Sequence, residues 1–148
     1  MIKTIVVGLD GSETSNNALI LASDLANKYA ANLHLVHAPQ PQTVAFAMGA
    51  VAGYHAVTTM PSAEEVKEAA DRIIEAGIAV AAEHHQTVTH THVAHGDPAD
   101  EIVSYAEGCG ADLIVTGRRG LGSVGALIQG STSQRINHLA KCACLSVE

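Results

Sequence analysis

Between an apolar run, Leu113-Ile114-Val115-Thr116, and an amphipathic segment near the C-terminus stand five glycines in fourteen residues, Gly117 to Gly130, followed by Ser131-Thr132-Ser133. Glycine lets backbone amides come close to an anion, and a helix N-terminus presents unpaired N–H groups with a favourable dipole. Serine and threonine hydroxyls add donors. Residues of these types in this order compose a phosphate cradle; the plainer reading is a long tight turn packed on its neighbour.

Two familiar nucleotide motifs are nearly spelled here, and both fail on context. Gly120-Leu-Gly122-Ser-Val-Gly125 reads GxGxxG, but it follows the fourth predicted strand, and no acidic residue lies about 20 positions on within a continuing βαβ unit. That disfavours NAD. Gly125-Ala-Leu-Ile-Gln-Gly130-Ser131-Thr132 resembles a P-loop, but Ser131 occupies the lysine position, and the nearest cations are Arg118, Arg119 and Arg135. That disfavours a P-loop NTPase.

The elements that must position this segment follow from periodicity. β-branched apolar runs alternate with longer stretches of helical period, the pattern of βαβ units and a parallel sheet. Strands are predicted at Ile2–Leu9, Leu33–Ala38, Val88–Ala94, Asp112–Thr116 and Ala143–Val147. A first helix spans about Ser15 to Ala30, with Ala18, Ala22, Leu25 and Tyr29 on one face. Ser62 and Glu65 form a capping box for a second that runs to about His84. Asp97-Pro98 opens a third, ending at Gly108 or Gly110. Ser131 or Thr132 caps a fourth, turning Ile136, Leu139 and Ala140 inward. One α/β domain over residues 1–148 is expected: a five-stranded parallel sheet with helices on both faces.

With the first strand central and right-handed crossovers, the order becomes 3-2-1-4-5, and ligands bind at the switch between strands one and four. The loops that meet there are Leu9-Asp10-Gly11-Ser12 and Gly117–Ser133. Asp10 can accept hydrogen bonds from a sugar or base while the glycine segment holds phosphates, so a mononucleotide fits; Asp-Gly-Ser is also ordinary turn chemistry.

Composition narrows the partners. The 148-residue chain carries 8 Lys and Arg against 15 Asp and Glu, a net charge of −7, which argues against nucleic acid or an anionic membrane. The apolar start is too short for a signal peptide, so a cytoplasmic location is expected. With 3% aromatic residues and no Trp, the core must come from Ala, Val, Ile and Leu. Cys109, Cys142 and Cys144 form no CxxC pair and read as small buried hydrophobes. The 35 residues from Tyr29 to Ala63 hold no Asp, Glu, Lys or Arg. Gly49, Gly53 and His55, with Pro39, Pro41 and Pro61, argue against a membrane helix there and for a loop carrying one short helix.

These residues resemble the ATP-binding branch of the UspA-type universal stress proteins, marked by Gly-x2-Gly-x9-Gly-(Ser/Thr). Gly117, Gly120, Gly130 and Ser131 match with both spacings intact. The resemblance also covers Val6-Val7-Gly8-Leu9-Asp10-Gly11-Ser12, Gly96-Asp97-Pro98 and Gly110-Ala111-Asp112-Leu113-Ile114-Val115, together with the element order of the whole chain. It implies the adenine nucleotide alpha hydrolase-like fold, a homodimer often paired through the last strand, and ATP or AMP at the switch. Slow ATP hydrolysis would use Mg²⁺ held by the phosphates and Ser131. By position, Leu9 and Asp10 would meet adenine and Ala38 would close that side. Gly117, Arg119, Gly120, Gly130, Ser131, Thr132 and Ser133 would surround ribose and phosphates. Where the family's closing strand reads Cys-Pro-Val-Leu-Val-Val, this chain has Cys142-Ala143-Cys144-Leu145-Ser146-Val147, a departure at the dimer edge.

No Ser/His/Asp or Cys/His arrangement and no catalytic carboxylate pair follows from spacing, so no dedicated enzyme is expected. The leading reading is a nucleotide-dependent stress-response binding module. Its rivals are a slow ATPase or phosphotransferase of the same fold and a family member that has lost nucleotide binding. Two features stand apart. His84, His85, His90, His92 and His95 cluster near the third strand, where His90 and His92 share one face, raising a surface metal or pH-sensing site beside the ordinary reading of a solvated edge. Phe46, Tyr54 and Met60 could pack on a nucleotide or partner, although packing in the core or a lid explains them as well.

Overall fold

A computed structural model describes residues 1–49, 60–120 and 131–148. Among the described residues, strands are joined by helical crossovers as expected of βαβ units, two helices lying between β2 and β3: β1 Thr4–Leu9, α1 Glu13–Tyr29, β2 Asn32–His37, α2 Pro41–Ala47, α3 Ala63–Glu83, β3 Val88–Val93, α4 Pro98–Gly108, β4 Leu113–Gly117, α5 Ser131–Leu139 and β5 Ala143–Val147. The five strands are parallel in the order β3-β2-β1-β4-β5. The short helix expected in the charge-free segment is α2, entered through Pro41.

Pleating divides the core in two. Ile5, Val7 and Leu9 of β1 face one way, with Leu33, Leu35, Leu113 and Val115, against Ala18, Leu19, Ala22 and Ala26 of α1 and Ile73 and Ile74 of α3. Val6, Val36 and Ile114 face the other way, against Ile102 and Val103 of α4 and Ile136 of α5. Small side chains let the layers close. A Cβ at Gly77 of α3 would lie 2.7 Å from Leu9 Cδ1, so this helix crosses the sheet at contact distance.

Local chemistry sets most helix starts. Ser12 caps α1, accepting from Ser15 N–H at 3.2 Å. The Ser62 and Glu65 box is formed on both sides, and Asp97 accepts from the N–H groups of Ala99 and Asp100. Three expectations are corrected. Helix α5 already includes Ser131 and Thr132 in its first turn, so neither is its cap. Leu139 is exposed, because Ile136 is the apolar side chain that the short helix turns fully into the core. Tyr29 is exposed at the end of α1, under the Lys28 ammonium. The cysteines are half-buried at the margin of the second core layer.

Candidate functional site

The carboxyl ends of β1 and β4 lie side by side at the switch point, and their loops are joined by specific contacts. Beyond β1 the chain turns at Asp10-Gly11, where Gly11 has φ +85°, a left-handed conformation that suits glycine. Asp10 Oδ1 accepts from Ser12 N–H at 2.9 Å, so the carboxylate fixes the turn that caps α1. The Thr14 hydroxyl, in the first turn of α1, donates to the Arg119 carbonyl.

On the β4 side two glycines lie close against the β1 loop, Gly117 against backbone and Gly120 against the Asp10 carboxylate. A Cβ at Gly117 would stand 2.6 Å from Thr14 Oγ1 and 2.8 Å from Ser15 N; one at Gly120 would stand 2.6 Å from Asp10 Oδ2. The structure therefore brings Asp10, Gly117 and Gly120 together. Ser133 is buried in the first turns of α5, its hydroxyl 3.5 Å from the Arg118 carbonyl, while Ser131 is exposed and Thr132 partly so. Gly130, and with it residues 121–129, lies outside the described residues.

Cation placement could not be foreseen from spacing. Arg118 pairs with Glu148 at 3.1 Å, and its N–H donates to Val147 O, binding the loop to β5. Arg135 is held by Asp97 and Asp100, each at 2.8 Å. Among the described residues, Arg119 is the arginine of the three that makes no ion pair.

On the β2 side, Leu9 and Ala38 are each about 5% exposed. Beside them a recess of about 220 Å³ is lined by Leu9, Gly11, Asn16, Phe46, Arg72 and Ile73, among others. Phe46 carbons come within 3.5 Å of where a Gly11 Cβ would stand. Spacing alone does not place this ring; entry of Pro41 into a helix, with Thr43 closing its cap, brings it to the β1 turn. Tyr54 lies outside the described residues.

His37, at the end of β2, is the one buried side chain among the described residues with an unsatisfied polar atom. It is 1% exposed, and its Nδ1–H donates to Leu9 O at 2.7 Å, while Nε2 has no partner. Burial holds its pKa below the ordinary histidine value, although the Leu9 contact and nearby Asp10 oppose the shift. His34 is lowered too, by burial and by His90. Groups that resist protonation in the native state are protonated more readily once unfolded, so stability is full above about pH 6.5 and declines as pH falls toward their lowered values. Urea midpoints measured from pH 7.5 to 5 are expected to fall. His37→Asn, which keeps a donor for Leu9 without titrating there, should flatten the profile.

Among the described residues, no helix is long and apolar enough to cross a membrane. The model of the "Universal stress protein family" matches residues 1–148. A universal stress protein of Thermus aquaticus is 33% identical over 148 residues, covering 99% of each chain. The solved universal stress protein UspA of Lactobacillus plantarum superposes with a TM-score of 0.76 at 22% identity, covering 99% of this chain and 98% of that one. A universal stress protein solved in complex with cAMP gives 0.64 at 26% identity over 99% and 97%. Sheet order, switch-point loops and full-length match agree: the chain belongs to the universal stress protein family.

Proposed function

We propose that this chain is an ATP-binding stress-response protein whose nucleotide governs a surface offered to a downstream protein partner. The observation that carries the reading is the close approach of the two switch-point loops, Gly117 against the backbone at Thr14 and Ser15 and Gly120 against the Asp10 carboxylate. Backbone N–H groups at such a place can meet phosphate oxygens without steric screening. Asp10 and the aliphatic floor of Leu9 and Ala38 would receive adenine and ribose. Gly117, Gly120, Gly130, Ser131, Thr132 and Ser133 would receive phosphates, with Arg119 as the local cation and Mg²⁺ held by the phosphates and the Ser131 hydroxyl. The family member solved with cAMP supports an adenine nucleotide as the ligand class.

Binding would alter the surface presented by the loop that follows Gly117, a shift driven by differential affinity for the bound form. A homodimer joined through β5 belongs to this reading. In the described chain β5 pairs with β4 alone, leaving its outer edge open.

Calorimetry with ATP and Mg²⁺ on nucleotide-stripped protein tests the proposal. One site per chain is expected, weakened at least tenfold in Gly130→Ala. Absence of heat, or equal affinity in the variant, would overturn it. Phosphate release at rates of ordinary kinases, on the order of 1–100 s⁻¹, would instead make the chain an enzyme.

A further inference from the structure

Away from the switch point, on the face that β2 and β3 turn toward α4, four rings that bear nitrogen or hydroxyl groups form a connected cluster. β3 is an edge strand in parallel register with β2, which sets His34 beside His90 and Val36 beside His92. His34 Nε2 lies 3.2 Å from His90 Nδ1, with the ring centroids 4.6 Å apart. His34 Nδ1 lies 3.2 Å from the Tyr105 hydroxyl of α4. His92 stacks on Tyr105, centroids 4.8 Å apart and planes 17° from parallel. His34 is 7% exposed, whereas His90 and His92 are open to solvent.

We propose that His34 Nε2 and His90 Nδ1 chelate a divalent cation of the zinc class, with Tyr105 fixing the tautomer of the inner ligand. In four-coordinate zinc with Zn–N bonds of about 2.0–2.1 Å, ligand nitrogens stand about 3.3–3.4 Å apart, close to the gap found here. With no metal, that gap holds one proton shared between two lone pairs, a contact imidazoles make only in a restricted choice of tautomers. A cation takes the place of that proton. His34 then carries its hydrogen on Nδ1 and donates it to the Tyr105 oxygen, the outer contact that orients most histidine ligands. His90 keeps its hydrogen on Nε2, toward solvent, so two neutral histidines bind without releasing a proton. His92 holds the phenol flat from the other side. Among the described residues no three His, Cys, Asp or Glu converge on one point, so water completes the coordination and the solvent-facing edge supplies the entry path.

The chemistry is selective. Imidazole suits zinc, copper and nickel and leaves magnesium and calcium to oxygen ligands, so this cation is distinct from the Mg²⁺ that would accompany a nucleotide. It would tie the edge strand to its neighbour, because its ligands come from β2 and β3.

Calorimetric titration of the full chain with ZnCl₂, nucleotide removed, is expected to show one equivalent bound. Imidazole ¹⁵N resonances of His34 Nε2 and His90 Nδ1 should shift together. His90→Ala, an exposed change that leaves the fold intact, should abolish that equivalent, and Tyr105→Phe should weaken it about tenfold. His138→Ala and Cys142→Ser should leave it in place, with MgCl₂ giving no heat at this site. Retention of the zinc equivalent in His90→Ala, its loss in Cys142→Ser, or ¹⁵N shifts confined to other histidines would overturn the proposal.

Discussion

Replacing Gly117 with alanine is expected to destabilise the protein by about 2 kcal/mol, the scale of forcing extra atoms into a packed site. For a chain of this length that lowers Tm by about 4–8 °C. Gly117 ends β4, in register with Val147 of β5, directly under the first turn of α1. An added methyl would meet Thr14 Oγ1 at 2.6 Å and Ser15 N and Thr14 C at 2.8 Å. Two of those three atoms are backbone, and neither can step aside cheaply. Ser12 caps that turn, Asp10 fixes Ser12, and the Thr14 hydroxyl holds the Arg119 carbonyl. Relief has to come from moving α1 away from β4, which separates the two loops of the candidate site, so nucleotide affinity should fall along with stability. Gly8→Ala supplies the comparison. Its methyl would meet Ile102 Cδ1 at 2.7 Å, the far end of a flexible side chain that can rotate away. Urea denaturation of both variants distinguishes a backbone collision from a side-chain one; equal losses would refute the packing described for α1 on β4.

Leu35→Ala carries the largest expected loss of stability, about 3–4 kcal/mol, within the range measured for buried leucine truncations. Leu35 is fully buried on β2, and a Cβ at Gly77 would stand 3.1 Å from its Cδ1. The helix backbone thus rests on the leucine tip. A chain with one Phe, three Tyr and no Trp has few large rings to collapse into the cavity. Neighbouring Leu9, Leu19 and Leu33 are held by their own strands and helix, so the void would persist. Leu139→Ala, on the exposed side of α5, is expected to cost well under 1 kcal/mol. Thermal denaturation of the pair reads the difference, and a loss in Leu35→Ala no greater than in Leu139→Ala would contradict the assignment of this core layer.

The two variants report on different contributions from sequence. Strand and helix order was legible because periodicity and capping act over a few residues: Ser62 with Glu65, Asp97 with Pro98, and the apolar runs at Ile5-Val6-Val7 and Leu113-Ile114-Val115 each carry their own instruction. Boundaries slip by one or two residues where the instruction is weak. The α5 start is an example, since Ser131, Thr132 and Ser133 offer similar chemistry and local preference alone does not choose among them. Inward faces were misjudged at Tyr29 and Leu139, both in a helix's last turn, where a continuing period runs past the neighbour that would cover it.

The glycine spacing, the Asp10 turn and the acidic balance of this chain were determined by the sequence itself, and they sufficed to point to a nucleotide and to a family. Tertiary structure decided which groups remain available to act. It engaged Arg118 with Glu148 and Arg135 with Asp97 and Asp100, and brought Phe46 to the β1 turn. It also set His34 against His90 across 56 positions of chain. Each of these depends on strand order, on register and on where a crossover helix lands. Such pairings are selected by burial of the whole sheet, so residues within a few positions of either partner contain no signal for them.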